Sequence, residues 1–504
     1  PQGQPSLFPE ASENDNIKPG INRAQFNWYN IDPLFYGQQN TSAKPGNIPE
    51  ATFSNNFMRQ VLETELFPSK TPANGQPVVL SVLDLAFYPK ERGPYNYNTD
   101  ELTADGTLAN PTNKWGGVMR KIDQNDFEAS NIDYIEVWMM DPYACKNDAS
   151  NTGSFYINLG NISEDVLRDH RRAAENGLPR AEVDYLNMDT TIWGRMARKP
   201  VINFAFDADA GIRKKQDVGL DGFDDDGERF WFDSNYVAKV AAKLGTTSVA
   251  YQNAVNDPSN DNYAYYLGGG YDNAKTSILD RYKKYNNHQG NSPTIEQSPE
   301  AYPTTATNSP DNEDINRDFT LNDIEEYYQY KIDINKSRLA VGQNYVTDSV
   351  RRTATLKDGS TREITWYQLK VPVREYEKKV GQIYDFKSIR FMRMFMHGFN
   401  NDMILRFAYF QLVRADWRKY LGNLEAGKET MPNDNVDRTQ FVVSTVNLEK
   451  NSNRAPIKYV IPPGIVREVD FSAPQAVQQN EQSLSLRVCD LRDGDARAAF
   501  KNIS

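Results

Sequence analysis

The sequence predicts a mainly β protein: an antiparallel β-sandwich, of jelly-roll or galactose-binding-like type, with long loops and a few short helices. Aromatic residues make up 12% of the 504 residues, and Tyr and Phe supply most of them. These residue types favour strands and sandwich cores over helical bundles. Asn, Asp, Gly and Pro separate the short apolar runs, which indicates long ordered loops between the strands.

Apolar and polar residues alternate with period two in several segments. The clearest are 132–139 and 155–159, and the pattern returns at 363–373, 388–396 and 403–413. This alternation predicts half-buried antiparallel strands. In the first segment Ile132, Tyr134, Glu136 and Trp138 oppose Asp133, Ile135, Val137 and Met139. In the last segment Leu405, Phe407, Tyr409 and Gln411 oppose Ile404, Arg406, Ala408 and Phe410.

Other segments show different patterns. The apolar run at 78–88 predicts a buried strand, and apolar residues at helical spacing predict helices at 57–66 and near 237–244. Ser163, with two acidic residues after it, predicts the start of a helix, where negative charge is favourable.

Changes in composition divide the chain into five segments. Residues 1–75 are predicted to be an extended N-terminal segment that docks on the core, and 76–200 to form the first part of the β-sandwich. Residues 201–340 read as an acidic, Asn/Asp-rich insertion, and 341–425 as the remaining strands. We expect 426–504 to be a linker and the truncated start of a second similar module.

Two internal sequence repeats predict the second module. The sequence at 22–33 resembles that at 453–463, and the sequence at 82–85 resembles that at 488–491, in the same order. We therefore expect this chain to be a fragment of a longer protein.

Charge and composition exclude several classes of function. The formal net charge of −11 argues against nucleic-acid binding, which needs an excess of Lys and Arg. The sequence contains no run of about twenty apolar residues, so it predicts no transmembrane helix. The two Cys and three His residues are scattered, and no nucleophile lies beside a base. A glycosidase pair such as Glu136 with Asp141 can be imagined, but we expect no enzymatic activity.

One loop has the spacing of a calcium site. Calcium needs six or more oxygen ligands, and an EF-hand loop supplies them from alternate positions and a final Glu. Here position 6, normally Gly, is Phe319. Two interpretations stay open: a structural Ca²⁺ site, or an Asp/Asn-rich loop whose carboxylates are solvated. The predicted ligands are Asp314, Asn316, Asp318, Thr320, Asn322 and Glu325.

A second acidic cluster could also gather oxygens around a hard cation, although its spacing fits a calcium loop less well. It comprises Asp217, Asp221, Asp224, Asp225, Asp226 and Glu228. Either site would serve rigidity, because no neighbouring group suggests metal-assisted chemistry.

Several blocks of the sequence resemble the SprA/Sov family of outer-membrane translocons, which belong to the type IX secretion system of Bacteroidetes. The resemblance runs from 23–24 to 480–483. The blocks that carry it are WGGVMR (115–120), DFE (126–128), NIDYIE (131–136), WMMDP (138–142), LGNISED (159–165), QDVGLDG (216–222), PD with EDIN (310–311 and 313–316) and SIRF (388–391).

The resemblance implies a soluble cap or insertion domain of a giant outer-membrane β-barrel that exports folded proteins, in some relatives including gliding adhesins. The implied partners are secreted cargo proteins and other type IX components, with membrane association through the parent barrel. The implied location is the outer membrane, with the cell-surface side favoured over the periplasmic side. The alternative is a surface glycan-binding β-sandwich, in which aromatic strand faces form the platform.

Overall fold

The computed structural model describes the chain from Gln4 to Lys501, with gaps. The longer gaps are 37–47, 71–75, 180–186, 200–203, 287–309, 425–438, 453–457, 471–476 and 492–495. The shorter ones are 6, 14–15, 69, 77, 145–147, 208, 217, 415–416, 421, 423, 468 and 479.

Two antiparallel sheets form the body of the protein. The six-stranded sheet has the order β1-β2-β13-β4-β10-β9, and the five-stranded sheet has the order β11-β8-β5-β12-β3. Their strands are β1 (Ala24–Tyr29), β2 (Leu83–Arg92), β3 (Trp115–Lys121), β4 (Ile132–Met140), β5 (Gly153–Asn161), β8 (Glu326–Ile334), β9 (Val346–Thr355), β10 (Thr361–Pro372), β11 (Lys378–Val380), β12 (Phe391–His397) and β13 (Met403–Arg414).

Smaller elements lie outside the two sheets. The two-stranded ladders are β6 (Met188–Thr190) with β7 (Arg195–Ala197), β14 (Trp417–Lys419) with β19 (Ala499–Lys501), β15 (Gln440–Asn447) with β18 (Gln482–Cys489), and β16 (Val469–Asp470) with β17 (Val477–Gln478). The α-helices are α1 (Glu63–Leu66), α2 (Ala210–Gln216), α3 (Asp225–Trp231), α4 (Ala238–Leu244), α5 (Val249–Asn256), α6 (Gly269–Asn273), α7 (Ile278–Arg281) and α8 (Leu448–Asn451). A π-helical turn spans Asp233–Val237, and 3₁₀ turns span Pro9–Ser12, Lys18–Gly20, Pro33–Tyr36, Glu50–Phe53, Pro111–Asn113 and Glu175–Gly177.

The inner faces of the two sheets share one apolar core, which makes the body a sandwich. The prediction of a mainly β, antiparallel sandwich with long loops and short helices is confirmed; its jelly-roll type stays a prediction. The six-stranded sheet contributes Phe26, Leu85, Phe87, Ile135, Val137, Met139, Leu369, Val371, Leu405 and Phe407. The five-stranded sheet contributes Phe155, Ile157, Leu159, Tyr328, Tyr330, Ile332, Ile334, Met392, Met394 and Met396.

The outer face of the six-stranded sheet is also covered. Trp138 and Trp366 lie on this face and are fully buried. Strand β4 is therefore buried on both faces, whereas its alternation predicted a half-buried strand. The cover comes from the N-terminal segment and a Tyr-rich turn, through Phe35, Phe53, Phe57, Met58, Val61, Leu66, Phe67, Tyr265, Tyr266, Tyr282 and Tyr285.

A β-bulge interrupts the predicted alternation of β13. The register with β4 shifts between Phe407 and Tyr409. Before the shift, Leu405 and Phe407 face the sandwich core as predicted, but beyond it Phe410 packs on that core and Tyr409 on the outer face. The predicted faces are therefore wrong from Tyr409 onward, because the extra residue reverses the side to which later residues point.

The insertion carries an apolar cluster of its own. Helices α4 and α5 and the π-helical turn pack with the loop at 95–108 around buried Tyr97, Phe232 and Val240. At the end of the 201–340 range, β8 belongs to the five-stranded sheet. In the described ranges no helix is long and apolar enough to cross a membrane.

A buried ion pair fastens the N-terminal segment to the sheet. Arg406 on β13 lies directly opposite Asp84 on β2, and Arg406 Nε is 3.2 Å from Asp84 Oδ1. The guanidinium also donates to the carbonyls of Asn56 and Arg59. Burial raises the pKa of Asp84 to about 7, although Arg406 opposes the shift. One side chain thus joins two strands to the segment that covers them.

Replacing this arginine should destabilise the protein strongly. The variant Arg406→Met leaves the buried carboxyl without its counter-charge and two carbonyls without their donor, so we expect a loss of about 3–5 kcal/mol in the free energy of unfolding. Urea unfolding measures it. The double variant Arg406→Met/Asp84→Asn should recover part of the loss, and a single-variant cost below about 1 kcal/mol would contradict this role.

Candidate functional site

Acidic residues from two turns converge beside α3. Asp224 caps this helix by accepting the N–H of Gly227 at 2.9 Å. Asp221 lies in the turn before the helix, Glu228 on it, and Asp257 and Asp261 in the turn after α5. One carboxylate oxygen each from Asp221, Glu228 and Asp261 lies within 4.8 Å of the others, and so do oxygens of Asp225, Glu228 and Asp257. We call the first set the inner carboxylates and the second the outer carboxylates.

Ser259 holds the inner carboxylates in place. Its N–H donates to Glu228 Oε2 at 2.8 Å, and its hydroxyl donates to Asp221 Oδ2 at 2.5 Å. The Tyr97 hydroxyl lies 2.9 Å from the same Ser259 oxygen. Asp221 and Glu228 are buried, and Asp261 is partly buried.

The inner carboxylates share a buried site without a close ion pair, although the more distant Arg195 lowers the pKa of Asp221 somewhat against the effect of burial. In the described ranges no Lys or Arg forms an ion pair with any of them, whereas Asp257 pairs with Lys284 at 3.2 Å. Burial raises the pKa of Asp221 to about 7. Burial, with the neighbouring Asp221 charge, raises the pKa of Glu228 to about 9, and the pKa of Asp261 is raised for the same reasons. Such a cluster can hold protons or a hard cation.

The acidic stretch at 217–228 predicted part of this cluster. The structure brings its Asp221, Asp225 and Glu228 together, and adds Asp257 and Asp261, which were not predicted. Asp224 instead caps α3, Asp226 pairs with Arg229, and Asp217 lies outside the described residues. In the sequence Asp257 and Asp261 are only two acids four residues apart after a helix. Their spacing does not show that the folded chain brings them close to Asp221.

The predicted calcium loop is held by hydrogen bonds within the protein. Asp314 accepts the N–H groups of Asp318 and Phe319, at 3.0 and 2.8 Å. Phe319 has φ of 67°, so the position normally occupied by Gly adopts a left-handed conformation here too. Asp318 Oδ1 accepts from the Thr320 hydroxyl, and its Oδ2 accepts from the Asn316 amide.

The last two predicted ligands have partners elsewhere. The Asn322 amide donates to the carbonyl of Ile162 at 2.6 Å. Glu325 forms a two-pronged ion pair with Arg393, at 2.8 and 3.0 Å. The structure thus groups Asp314, Asn316, Asp318 and Thr320 in one hydrogen-bonded loop, and calcium binding there stays a prediction.

Two buried glutamates tie this loop to the segment after β5. Glu164 accepts the N–H groups of Ile315, Asn316 and Asn322 at 2.9–3.2 Å. Burial nevertheless raises the pKa of Glu164 to about 7. The helix predicted to start at Ser163 is absent, and the described segment is irregular there. The acid serves backbone groups distant in sequence rather than a helix terminus.

Glu313 makes the reciprocal connection. Its carboxyl accepts the N–H groups of Val166, Leu167 and Ala173 at 2.7–3.0 Å. Burial also raises the pKa of Glu313. The two irregular segments therefore satisfy each other's buried N–H groups in the absence of helix or sheet pairing.

A cavity of about 430 Å³ lies beside these segments and β3, lined by both aromatic and charged side chains. Two of the guanidiniums on its wall have protein partners. Arg23 donates to the carbonyls of Pro94 and Val166, and Arg393 pairs with Glu325. These two charges are therefore engaged in holding the loops.

The charges around Glu136 bear on the imagined glycosidase pair of Glu136 with Asp141. Burial would raise the pKa of Glu136, but Lys450, 2.9 Å away, and Lys370 outweigh it and hold the pKa below its usual value. A general acid requires a raised pKa, which burial gives to Asp141 but not to Glu136. The indoles of Trp138, Trp193 and Trp366 are buried, so they are not available as a glycan platform.

Apolar side chains are exposed near the C-terminal end of the chain. In the β15–β18 ladder, Phe441 lies opposite Val488 and Val443 opposite Leu486, so these side chains share one face. Leu486 is 53% exposed and Val488 43%, whereas Phe441 is buried. We call this surface the β15–β18 face, and Leu486 and Val488 are its exposed part. Val466, in the segment between α8 and β16, is 87% exposed.

The fold and its sites define a two-sheet antiparallel β protein with an acidic helical insertion and an apolar ladder face. A sequence model of the family SprA_N, described as motility related/secretion protein, matches residues 235–504, more than half of the chain. The chain therefore belongs to this motility- and secretion-related family, as its sequence blocks predicted. Comparison with individual curated proteins gave no match.

Stability should fall as the pH rises from 5 to 8 when EDTA is present. The unfolded chain releases carboxyl protons near pH 4, whereas the folded pKa values of Asp84, Glu164 and Asp221 are raised to about 7. The stabilisation that these protonated groups contribute is complete below about pH 4 and is lost as the pH passes through about 7. Burial lowers the pKa of His397, so this one group makes stability rise with pH instead.

Thermal melting across this pH range in EDTA checks the prediction. The variant Glu164→Gln removes one of the titrating groups, so its melting temperature should depend less on pH than that of the unaltered protein. A melting temperature as high at pH 8 as at pH 5 would contradict the prediction.

Proposed function

We propose that this chain is a non-enzymatic module of an outer-membrane translocon for type IX secretion, which caps or shapes the exit path of folded cargo. The observation that carries the proposal is the family match over 235–504. In the proposed location, the module faces the cell surface and reaches the membrane through the rest of its translocon.

The β15–β18 face supports a role in contacts with other proteins. It lies inside the region matched by the family, and its half-exposed Leu486 and Val488 are costly to leave in water. Exposed apolar surface of this kind favours protein contact. We propose that cargo or another type IX component covers it.

The ladder is fastened to the sandwich by charged groups. Lys450 in α8 pairs with Glu136 of β4, and Lys370 donates to the carbonyl of Thr445 at 3.3 Å. The Asn451 amide donates to Asp348 at 3.2 Å. A partner bound to the β15–β18 face would therefore be connected to the six-stranded sheet through the ladder.

Charged substitutions on this face should impair secretion. In cells that depend on this protein, Leu486→Glu/Val488→Glu places two carboxylates where an apolar partner surface is expected, so export of cargo should fall several-fold. Secreted protein in the medium is measured, with immunodetection of the translocon in outer-membrane fractions to show that it still assembles.

The control is Phe230→Glu, because Phe230 on α3 is 85% exposed and lies outside the ladder. This variant should secrete normally. Normal secretion by the double variant would contradict a role for the face. Normal secretion after deletion of the whole module from an assembled translocon would contradict the proposed function, and glycan-array binding that depends on exposed aromatics would favour the alternative.

A further inference from the structure

We propose that the inner carboxylates, Asp221, Glu228 and Asp261, bind one hard divalent cation of the calcium class. This site is distinct from the loop at 314–325 and does not depend on the proposed function.

The distances fit a single ion. Calcium binds carboxylate oxygens at 2.3–2.6 Å, so oxygens that share one ion lie at most about 5 Å apart. The three inner oxygens lie within 4.8 Å of one another. The Ser259 hydroxyl, 2.5 Å from Asp221 Oδ2, adds a neutral oxygen beside them.

An unsatisfied oxygen points to a missing ligand. Asp261 Oδ2 is enclosed by the protein, and no donor of a described residue lies within hydrogen-bonding distance of it. The Tyr95 hydroxyl lowers the pKa of the Asp261 carboxyl, but less than burial and the neighbouring carboxylates raise it. It lies against Gly219, where a Cβ atom would be only 2.0 Å from it. The backbone thus leaves room for this oxygen, yet supplies no donor to it. A buried oxygen without a partner is costly, and a cation would remove that cost.

The charge balance separates the inner set from the outer one. Lys284 neutralises Asp257 in the outer set, and the Asn262 amide donates to Asp225 at 2.8 Å. In the described ranges no Lys or Arg forms such an ion pair with the inner set, and Arg195 acts on Asp221 only from farther away. Asp225 and Asp257 of the outer set are partly exposed, and the outer set shares the buried Glu228 with the inner one, so acidic side chains extend from the inner set toward the surface.

The ligand set selects the type of cation. Every candidate ligand is an oxygen, whereas zinc prefers nitrogen and sulfur. Magnesium keeps several waters and is usually held by one or two carboxylates, whereas calcium accepts three and a flexible geometry. An ion here would join the turn before α3 to the turn after α5. Through Ser259 and Tyr97 it would also stabilise the contact with the loop at 95–108.

Terbium luminescence and calorimetry on the full 504-residue chain, stripped with EDTA, test the site. Tb³⁺ replaces Ca²⁺, and the Tyr97 ring, whose hydroxyl is hydrogen-bonded to Ser259, should sensitise the Tb³⁺ emission. We expect Ca²⁺ to displace Tb³⁺. Asp261→Asn and Glu228→Gln should each weaken Ca²⁺ binding about tenfold or more, because each removes one charged ligand.

Two further variants locate the binding. Asp226→Asn removes the same charge from the exposed side of α3, where Asp226 pairs with Arg229, and should leave affinity unchanged within about twofold. Asp318→Asn, in the loop at 314–325, should also leave it unchanged. Loss of Ca²⁺ binding in Asp318→Asn with full binding in Asp261→Asn would overturn the proposal.

Melting temperatures separate binding from misfolding. In EDTA at pH 7.5, Asp261→Asn should melt at or above the temperature of the unaltered protein, because it removes repulsion among buried carboxylates. Added Ca²⁺ should raise the melting temperature of the unaltered protein by several degrees but not that of Asp261→Asn. The absence of a Ca²⁺-dependent rise would show that the carboxylates only share protons, and an equal rise in both proteins would show that the ion binds elsewhere. Either result would overturn the proposal.

Discussion

The six-stranded sheet must bury both of its faces, and most of the structure follows from this constraint. On one side of the sheet Val137 and Met139 point toward the second sheet. On the other side Trp138 packs edge-on against Phe67, with 5.4 Å between the ring centroids. A second apolar face requires a second cover, so the N-terminal segment and the Tyr-rich turn fold onto it. Because these covers are irregular chain with few strand partners, side chains such as Arg406 must fasten them.

Buried carboxyls organise the other irregular parts of the chain. Glu164 and Glu313 each accept three backbone N–H groups from a segment distant in sequence, and Glu228 accepts that of Ser259. A carboxyl can satisfy several donors at once, which suits loops that lack regular pairing. The cost of its burial appears as raised pKa values, most clearly where Asp221, Glu228 and Asp261 meet. The same device that orders the loops makes them responsive to protons and cations.

Local patterns predicted the strands, and long-range contacts decided the rest. Alternation located β4, β5, β12 and β13 because residue parity is a local property of a strand. It gave the wrong side after Phe407, since a bulge depends on the partner strand. The helix-capping pattern at Ser163 failed as well, because the following Glu164 serves the loop at 315–322 rather than a helix. At the acidic cluster, composition revealed Asp221 and Glu228, but only folding brings Asp261 to them.

The region matched by the family depends on the earlier half of this chain to complete its sheets. The matched region begins at residue 235 and contains β8 to β13, but these strands find their neighbours in the earlier half of the chain. Strand β13 pairs with β2 and β4, and β12 pairs with β3 and β5. Neither sheet can form from residues 235–504 alone, because its central strands would lose their partners and expose unpaired backbone groups. In this chain the region matched by the family therefore takes part in a body to which both halves of the sequence contribute, and a property assigned to that body depends on both.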